Sequence, residues 1–186
     1  MLKLNLKEKS FDGKLILKDL QIEIKKEEIF HIIGESGIGK TTLMRILMGV
    51  DKNFDGEIEN HFSSMAATYP ERVFLGGLSI LNEIKIFTGK TKEEIKSALE
   101  FLNMIDAKDK KASELSTGMR SRASIIRAML KGADIVFLDE PLLGLDPKTK
   151  DLAIRFIKDN SKGKAIVYTG DQIFHDEIRL SLQENI

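Results

Sequence analysis

One octet of the sequence has the residue types and spacing of a phosphate-binding loop. It follows the pattern G-x-x-x-x-G-K-[ST] and comprises Gly34, Glu35, Ser36, Gly37, Ile38, Gly39, Lys40 and Thr41. The glycines let the backbone turn tightly and point its N–H groups at phosphate oxygens. Lys40 would reach the β- and γ-phosphates, and the Thr41 hydroxyl would ligate Mg²⁺, with Thr42 beside it in the phosphate site.

A glycine turn that binds nothing is the alternative interpretation of this octet. The flanking sequence argues against it, because the apolar run Ile29–Ile33 predicts a buried strand before the octet. Residues 42–48 predict a helix after it. This succession of strand, loop and helix is the context that a phosphate-binding loop requires.

Two adjacent carboxylates, Asp139 and Glu140, end the apolar run Ile135–Leu138. A carboxylate at the C-terminal end of a strand beside a phosphate loop can hold the Mg²⁺ shell, which suits Asp139. Glu140 would then polarise a water for in-line attack on the γ-phosphate, as the catalytic residue. Acidic residues also commonly end strands and cap the next element of the chain. The phosphate loop in the same chain favours the catalytic interpretation.

The elements that must position these residues follow from hydropathy patterning. Apolar residues alternate with polar ones over residues 2–7 and 20–25, which predicts half-exposed antiparallel strands. Ile29–Ile33, Ile135–Leu138 and Ala165–Tyr168 are apolar on both faces and predict central parallel strands covered by helices. A capping box at Thr91 and Glu94 predicts the start of one such helix. The pattern is that of an α/β fold.

Composition limits the classes of function. The chain has 186 residues with 29 basic and 29 acidic side chains, so its formal net charge is zero and no nucleic acid partner is expected. The chain has no cysteines, which excludes disulfides and thiolate metal sites. No apolar run approaches the ~18 residues of a membrane span. We therefore expect one soluble cytosolic domain, 1–186, that serves a membrane only through a partner.

Further motifs make the chain resemble the ATP-binding cassette (ABC) ATPases. Leu115–Met119 is similar to the signature sequence of that family, and Gly144–Pro147 is similar to its D-loop. Phe11 stands where the family places an aromatic that stacks on adenine, and Tyr69-Pro70-Glu71 stands at its Q-loop. The order of these motifs along the chain matches the family over nearly the whole sequence.

The resemblance implies a P-loop nucleoside triphosphatase fold with a mainly parallel central sheet flanked by helices. It also implies an N-terminal antiparallel β-subdomain and a small helical subdomain, at approximately residues 72–130. ATP would bind with Mg²⁺, for which Glu71 would be a further ligand beside Thr41 and Asp139. Two cassettes, identical or different, would form a head-to-tail dimer in which Asp146 lies at the contact between subunits.

In such a dimer, the signature residues of one subunit act on the nucleotide of the other. The family places Ser116, Thr117, Gly118 and Met119 at a helix N-terminus that points at the γ-phosphate in trans. A helix N-terminus is a ready anion site. The simpler role of Ser116 is to cap its own helix, and that role alone would also explain this part of the motif.

Four positions depart from the family pattern. Thr117 replaces a glycine, Met119 replaces a glutamine, and Glu71 replaces the Q-loop glutamine. Gly170 occupies the position of the switch histidine and offers no side chain to the γ-phosphate. Slowed hydrolysis is therefore expected. The histidines of the chain are not expected to be catalytic, although His175, in a predicted short helical turn, is the nearest substitute in sequence; the others are His31 and His61.

The family resemblance implies transport, with ATP closing the dimer and hydrolysis opening it. The chain would lie at the cytoplasmic face of the cell membrane and contact a transmembrane permease subunit, with residues 72–77 as the best candidates for contact. Two alternatives stay open: a cassette ATPase that serves no transporter, and a nucleotide-dependent regulator that acts on a soluble complex.

Overall fold

The computed structural model describes residues 1–68 and 74–183. Its strands are β1 (Leu2–Phe11), β2 (Lys14–Ile24), β3 (Ile29–Ile33), β4 (Asp55–Asn60), β5 (Met65–Thr68), β6 (Ile135–Leu138), β7 (Ala165–Thr169) and β8 (Ile178–Ser181). Its helices are α1 (Lys40–Leu47), α2 (Ile80–Thr88), α3 (Lys92–Phe101), α4 (Thr117–Leu130) and α5 (Pro147–Asp159).

A parallel sheet with the strand order β5-β6-β7-β3-β8 forms the centre of the molecule. Every residue of β6 and β7 is buried, as their continuous apolar sequences predict. The two outer strands were not predicted, because β5 and β8 are short and partly exposed and have no clear apolar pattern. Parallel strands bring their carboxyl ends to one edge, and the phosphate loop follows β3 at that edge.

A second, antiparallel sheet has the order β2-β1-β4. The turn at Asp12 and Gly13 joins β1 to β2. The alternating leucines Leu2, Leu4 and Leu6 are buried and belong to one core with β3 and α1. The sheet is therefore fixed against the strand and the helix that flank the phosphate loop.

Helices α2, α3 and α4 lie between β5 and β6 in the chain. The capping box at Thr91 and Glu94 opens α3, as predicted. A buried ion pair joins α2 to α4, because Arg127 Nη1 lies 3.1 Å from Glu83 Oε1. The division of the chain into a core and a helical subdomain at residues 72–130 stays a prediction, and its first two residues lie outside the described part of the chain.

The architecture confirms the predicted fold class: a parallel sheet flanked by helices with an antiparallel sheet at the N-terminal end. One local prediction is wrong. Residues 171–177, which include His175, form bends and irregular backbone instead of a short helical turn, because the Tyr168 hydroxyl holds the N–H groups of Ile173 and Phe174. Among the described residues, no helix is both long and apolar enough to cross a bilayer.

Candidate functional site

The phosphate loop joins the end of β3 to the start of α1. Gly39 precedes α1 with a φ of 112°, in the region that favours glycine. A Cβ at this position would lie only 2.9 Å from Ile16 Cγ2 and 3.1 Å from Leu17 Cδ2. The loop therefore packs tightly on β2, and a larger residue at position 39 would displace it.

Lys40 lies folded over the loop that precedes it. Its ammonium donates hydrogen bonds to the carbonyl oxygens of Gly34, at 2.8 Å, and Glu35, at 2.7 Å. The first turn of α1 reads Lys40-Thr41-Thr42-Leu43, so the lysine charge and the positive end of the helix dipole coincide. This arrangement suits a polyphosphate.

A cavity of about 210 Å³ opens at the N-terminus of α1. It is lined by Ser36, Gly37, Gly39, Lys40, Thr41, Thr42 and Glu140. Six of these residues were predicted to bind phosphate, and Glu140 was predicted to be catalytic. The structure thus brings the predicted base and the predicted phosphate site together. Of the other predicted residues, Glu35 is exposed, and Ile38 packs with the apolar core beside the loop.

A single hydroxyl contacts both acidic residues of the site, one through its carboxylate and the other through its backbone. Thr169 Oγ1, at the end of β7, donates to Asp139 Oδ1 at 2.7 Å and accepts from the backbone N–H of Glu140 at 2.9 Å. The backbone N–H of Asp139 donates to Thr68 Oγ1 at 3.0 Å. Neither threonine was singled out from the sequence. For Thr169 the available signal was a hydroxyl directly after the apolar run Ala165–Tyr168. Thr68 offered no such signal, because β5 has no clear apolar pattern.

The backbone at Glu140 is strained. Its φ is 43°, a left-handed conformation that few residues other than glycine adopt. Such strain persists where the surroundings over-determine the conformation, and it clusters at functional sites. Here the Thr169 hydroxyl binds the N–H of Glu140 itself.

Gly170 lies directly against Glu140. A Cβ at position 170 would be 3.4 Å from Glu140 Cα and 3.6 Å from Glu140 Cγ. The φ of Gly170 is 86°, so a histidine at this position would be strained. The position that was predicted to correspond to the switch histidine is therefore adjacent to the predicted base.

The donor set at the site fits Mg²⁺. Asp139 is 5% exposed and shares the sheet edge with the phosphate loop, and the Thr41 hydroxyl lines the cavity. Among the described residues, no group of three or more His, Cys, Asp or Glu side chains could hold a metal by itself. Mg²⁺ is commonly bound through one or two protein ligands together with substrate phosphates and water, so this small set is sufficient. Glu71, a predicted ligand, lies outside the described residues.

The signature segment and the D-loop are neighbours. Ser116 caps α4, since its Oγ accepts a hydrogen bond from the N–H of Met119 at 3.3 Å, and Thr117 beside it is exposed. A Cβ on Gly118 would lie 3.5 Å from the carbonyl oxygen of Gly144. Within the described part of the chain, Ser116–Met119 are not among the residues that line the phosphate cavity.

Asp146 is the N-cap of α5. It accepts from the N–H of Thr149 at 3.1 Å, and the Thr149 hydroxyl donates to it at 2.6 Å. These hydrogen bonds hold the pKa of Asp146 below its ordinary value. The carboxylate is exposed, and its predicted place at a subunit contact stays a prediction.

Phe11 is 61% exposed at the end of β1. Its ring centroid lies 5.2 Å from Nζ of the buried Lys9, which makes a cation–π contact with one face of the ring. An exposed aromatic on the hairpin that packs beside the phosphate loop is suited to stacking on a base. The stacking itself stays a prediction.

His61 and His175 are surface residues, and His61 lies 3.7 Å from Glu59. His31 is buried and hydrogen-bonded on both sides of its ring.

Residues 17–143 match the ABC transporter family. One curated relative is the spermidine/putrescine import ATP-binding protein of Acetivibrio thermocellus, 28% identical over 91% of this chain and 52% of its own length. Another is the cytochrome c biogenesis ATP-binding export protein of Novosphingobium aromaticivorans, 33% identical over 86% of this chain and 82% of its own length. The chain spans about half the length of the polyamine import relatives that it matches.

A solved structure supports the fold. It is a dimeric ATP-binding cassette in a post-hydrolysis state, bound to ADP and Pi, with a TM-score of 0.79 at 23% identity. The match covers 93% of this chain and 89% of that one. With the family match over residues 17–143, these findings show that the chain belongs to the ABC transporter family of ATP-binding cassettes.

Proposed function

We propose that the chain binds Mg²⁺-ATP at the phosphate loop and hydrolyses it with Glu140 as the base. The observation that carries the proposal is the single cavity shared by Lys40, Thr41 and Glu140. Lys40 and the N-terminus of α1 bind the phosphates, and Phe11 stacks on adenine. Thr41, Asp139 and Glu71 hold Mg²⁺, which neutralises charge on the phosphates when it is bound.

The strained backbone of Glu140 aims its carboxylate at the cavity. Glu140 accepts a proton from the attacking water, and Thr169 holds the backbone of Glu140 while this happens. Because Thr169 also binds Asp139, the base and the metal-binding carboxylate keep a fixed separation.

The complete site requires a second cassette. Ser116 and Thr117 are exposed at the N-terminus of α4, beside the D-loop and away from the phosphate cavity. In a head-to-tail dimer each signature segment faces the nucleotide of its partner, and Asp146 lies at the contact. The partner is a second copy or a related cassette.

Hydrolysis is slowed by the glycine at position 170. Losing one contact to the transition state typically costs about 10²- to 10³-fold in rate. A single-turnover comparison of the wild type with Gly170→His tests this. Gly170→Ala is the control, because it carries the backbone strain without an imidazole. Relative to Gly170→Ala, the histidine variant gains more than about tenfold in rate; a gain below tenfold would remove this explanation.

The ATP cycle drives transport through a permease subunit at the cytoplasmic face of the membrane. The names of the relatives support this role, since they include both import and export ATP-binding proteins. The substitutions at Gly170 and Glu71 favour one rival, a nucleotide-dependent regulator. Co-purification of the chain with a multi-helix membrane protein supports transport, whereas co-purification with a soluble complex supports the rival.

Calorimetric titration with Mg²⁺-ATP tests the proposed binding site. Lys40→Ala lowers the affinity about 10- to 100-fold, because charge-assisted hydrogen bonds to phosphate are lost. Lys162→Ala is the matched control, since Lys162 is exposed in the turn after α5. Equal affinity in the wild type and Lys40→Ala would overturn the assignment of the phosphate loop.

A further inference from the structure

A buried polar cluster lies beneath the loop that follows β7, and the proposed catalytic cycle does not use it. His31, on β3, stacks on Tyr168, on β7, with ring centroids 4.1 Å apart and planes at 11°. Glu177 covers both residues: its carboxylate lies 3.2 Å from His31 Nδ1 and accepts a hydrogen bond from the Tyr168 hydroxyl. Arg179 Nε donates to the same carboxylate at 2.9 Å.

The other ring nitrogen of His31 reaches the functional site. His31 Nε2 lies 3.0 Å from the carbonyl oxygen of Gly170. Gly170 is the residue that packs against Glu140, and Thr169 before it binds the backbone of Glu140. Gly170 therefore lies between the imidazole of His31 and Glu140.

The geometry around His31 matches a ring that donates from both nitrogens. Both ring nitrogens face oxygen acceptors, a carboxylate on one side and a carbonyl on the other. A neutral imidazole has only one N–H, so either tautomer would leave a lone pair facing an oxygen. Only the imidazolium donates both hydrogen bonds, and its charge also favours the stacked tyrosine ring.

The surrounding charges agree with this assignment. Burial raises the pKa of Glu177. The hydrogen bonds from Tyr168, Arg179 and His31 together lower this pKa by more than burial raises it, so the net shift is downward. Burial and the bond to Glu177 raise the pKa of Tyr168 to about 12, so tyrosine stays a neutral donor. On the outer side of the loop, Asp171 pairs with Lys150 of α5. The Glu177 carboxylate is thus an anion whose side chain is 0% exposed and faces the ring.

We propose that His31 is a positioning residue for ATP hydrolysis, and that it acts as an imidazolium which holds the carbonyl of Gly170. It stabilises the loop against which Glu140 packs, in a chain that carries no side chain at the switch position. Deprotonation of His31 removes one of its two hydrogen bonds and loosens this loop. The inference rests on the proposed hydrolysis only for its effect on rate, since the hydrogen bond itself is independent of nucleotide.

Nitrogen-15 NMR of the ring tests the hydrogen bonds without any hydrolysis. At the acid end of a pH series over which the fold persists, both ring nitrogens of His31 couple to a proton. Along the series, the carbonyl shift of Gly170 changes together with the nitrogen shifts of His31. A ring with one bare nitrogen at every pH of the series, or a Gly170 shift that is independent of the ring, would overturn the proposal even if the chain hydrolyses ATP.

The pH profile of single-turnover hydrolysis separates positioning from a structural role. In the wild type the rate falls about tenfold as His31 loses its proton, because one hydrogen bond to the loop is lost. In Glu177→Gln the new amide N–H can donate to Nδ1 of His31. A neutral ring then keeps the hydrogen bond from its Nε2–H to the carbonyl of Gly170, so the fall in hydrolysis rate at alkaline pH disappears. His31→Gln retains a neutral donor and is likewise flat, whereas His31→Leu is slow at every pH.

The same alkaline fall in the wild type and in Glu177→Gln would contradict the proposal. A chain that fails to hydrolyse ATP at any pH would contradict the proposed function and leave the NMR result to decide the hydrogen bond. The two failures are therefore distinguishable.

Discussion

At the scale of single residues, the site depends on contacts between residues that lie far apart in the chain. Thr169 joins Asp139 to Glu140, and Gly170 packs against Glu140. Thr169 is the last residue of β7, and Gly170 directly follows it. Their roles depend on β7 lying between β6 and β3, an order that hydropathy does not encode.

Thr169→Val removes the hydroxyl and keeps the shape of the side chain. The N–H of Glu140 then loses its partner, so unfolding free energy falls by about 1–3 kcal/mol. Turnover falls about tenfold or more while ATP binding persists, because Glu140 is no longer fixed. Denaturant unfolding and single-turnover kinetics measure the two effects.

Thr88→Val is the matched control for Thr169→Val. The Thr88 hydroxyl donates to the carbonyl of Ile84 within α2, and Thr88 is not among the residues that line the phosphate cavity. This variant keeps wild-type turnover. Equal losses of turnover in both threonine variants would show that Thr169 acts on stability alone.

At the scale of elements, two helices begin with the same cap but have different proposed tasks. Ser79 caps α2 and accepts from the N–H of Asn82, while Ser116 caps α4 and accepts from the N–H of Met119. The cap at Ser116 was predicted from the sequence as the simpler role of that residue. Its action on the nucleotide of a partner subunit adds a second role to the same oxygen.

Alanine at either cap separates these two roles. Ser79→Ala and Ser116→Ala each lower the free energy of unfolding by about 1 kcal/mol, because each helix loses an N-cap. Only Ser116→Ala also lowers turnover at saturating ATP, by about tenfold. If Ser116→Ala retains full turnover, the signature serine is a cap and nothing more.

A buried ion pair between Lys9 and Asp51 joins the antiparallel sheet to the segment after α1. Lys9 Nζ lies 2.8 Å from Asp51 and donates to the carbonyl of Asn53 at 2.6 Å, and the lysine side chain is 2% exposed. Asp51→Asn leaves the buried ammonium without its counter-ion and lowers the unfolding free energy by about 2–3 kcal/mol. The double variant Lys9→Met with Asp51→Asn loses less unfolding free energy than Asp51→Asn alone, since no unpaired charge remains.

The same pair predicts an acid dependence of stability. Burial raises the pKa of Asp51, but hydrogen bonds from Lys9 and Asn53 and the charge of Lys9 prevail and hold it below 3.8. A pKa depressed by folding stabilises the protein above the unfolded value and loses that contribution as the pH falls below it. The difference between the wild type and Asp51→Asn therefore shrinks below about pH 4. A constant difference down to pH ~2 would contradict this.

At the scale of the whole molecule, the sequence predicted the fold class but not every element of the scaffold. The phosphate loop and Glu140, which share one cavity, were singled out because their proposed chemistry demands fixed residue types at fixed spacing. The outer strands β5 and β8, the irregular segment 171–177 and the cluster around His31 were not found. Each depends on contacts between segments far apart in the chain, and short, partly exposed segments have little periodicity to reveal them.

The split site is the central claim at this scale. The phosphate loop and the proposed base share one cavity, whereas the predicted signature segment does not line it. Under the proposed function, hydrolysis therefore requires two cassettes, and its rate depends on their association.

Steady-state hydrolysis of Mg²⁺-ATP as a function of protein concentration tests this claim most directly, with Glu140→Gln as the control that keeps the phosphate site. We predict turnover that rises faster than linearly with concentration and is lost in Glu140→Gln, although that variant still binds ATP. Turnover strictly proportional to concentration, turnover that survives in Glu140→Gln, or no turnover while ATP saturates the site would contradict the account.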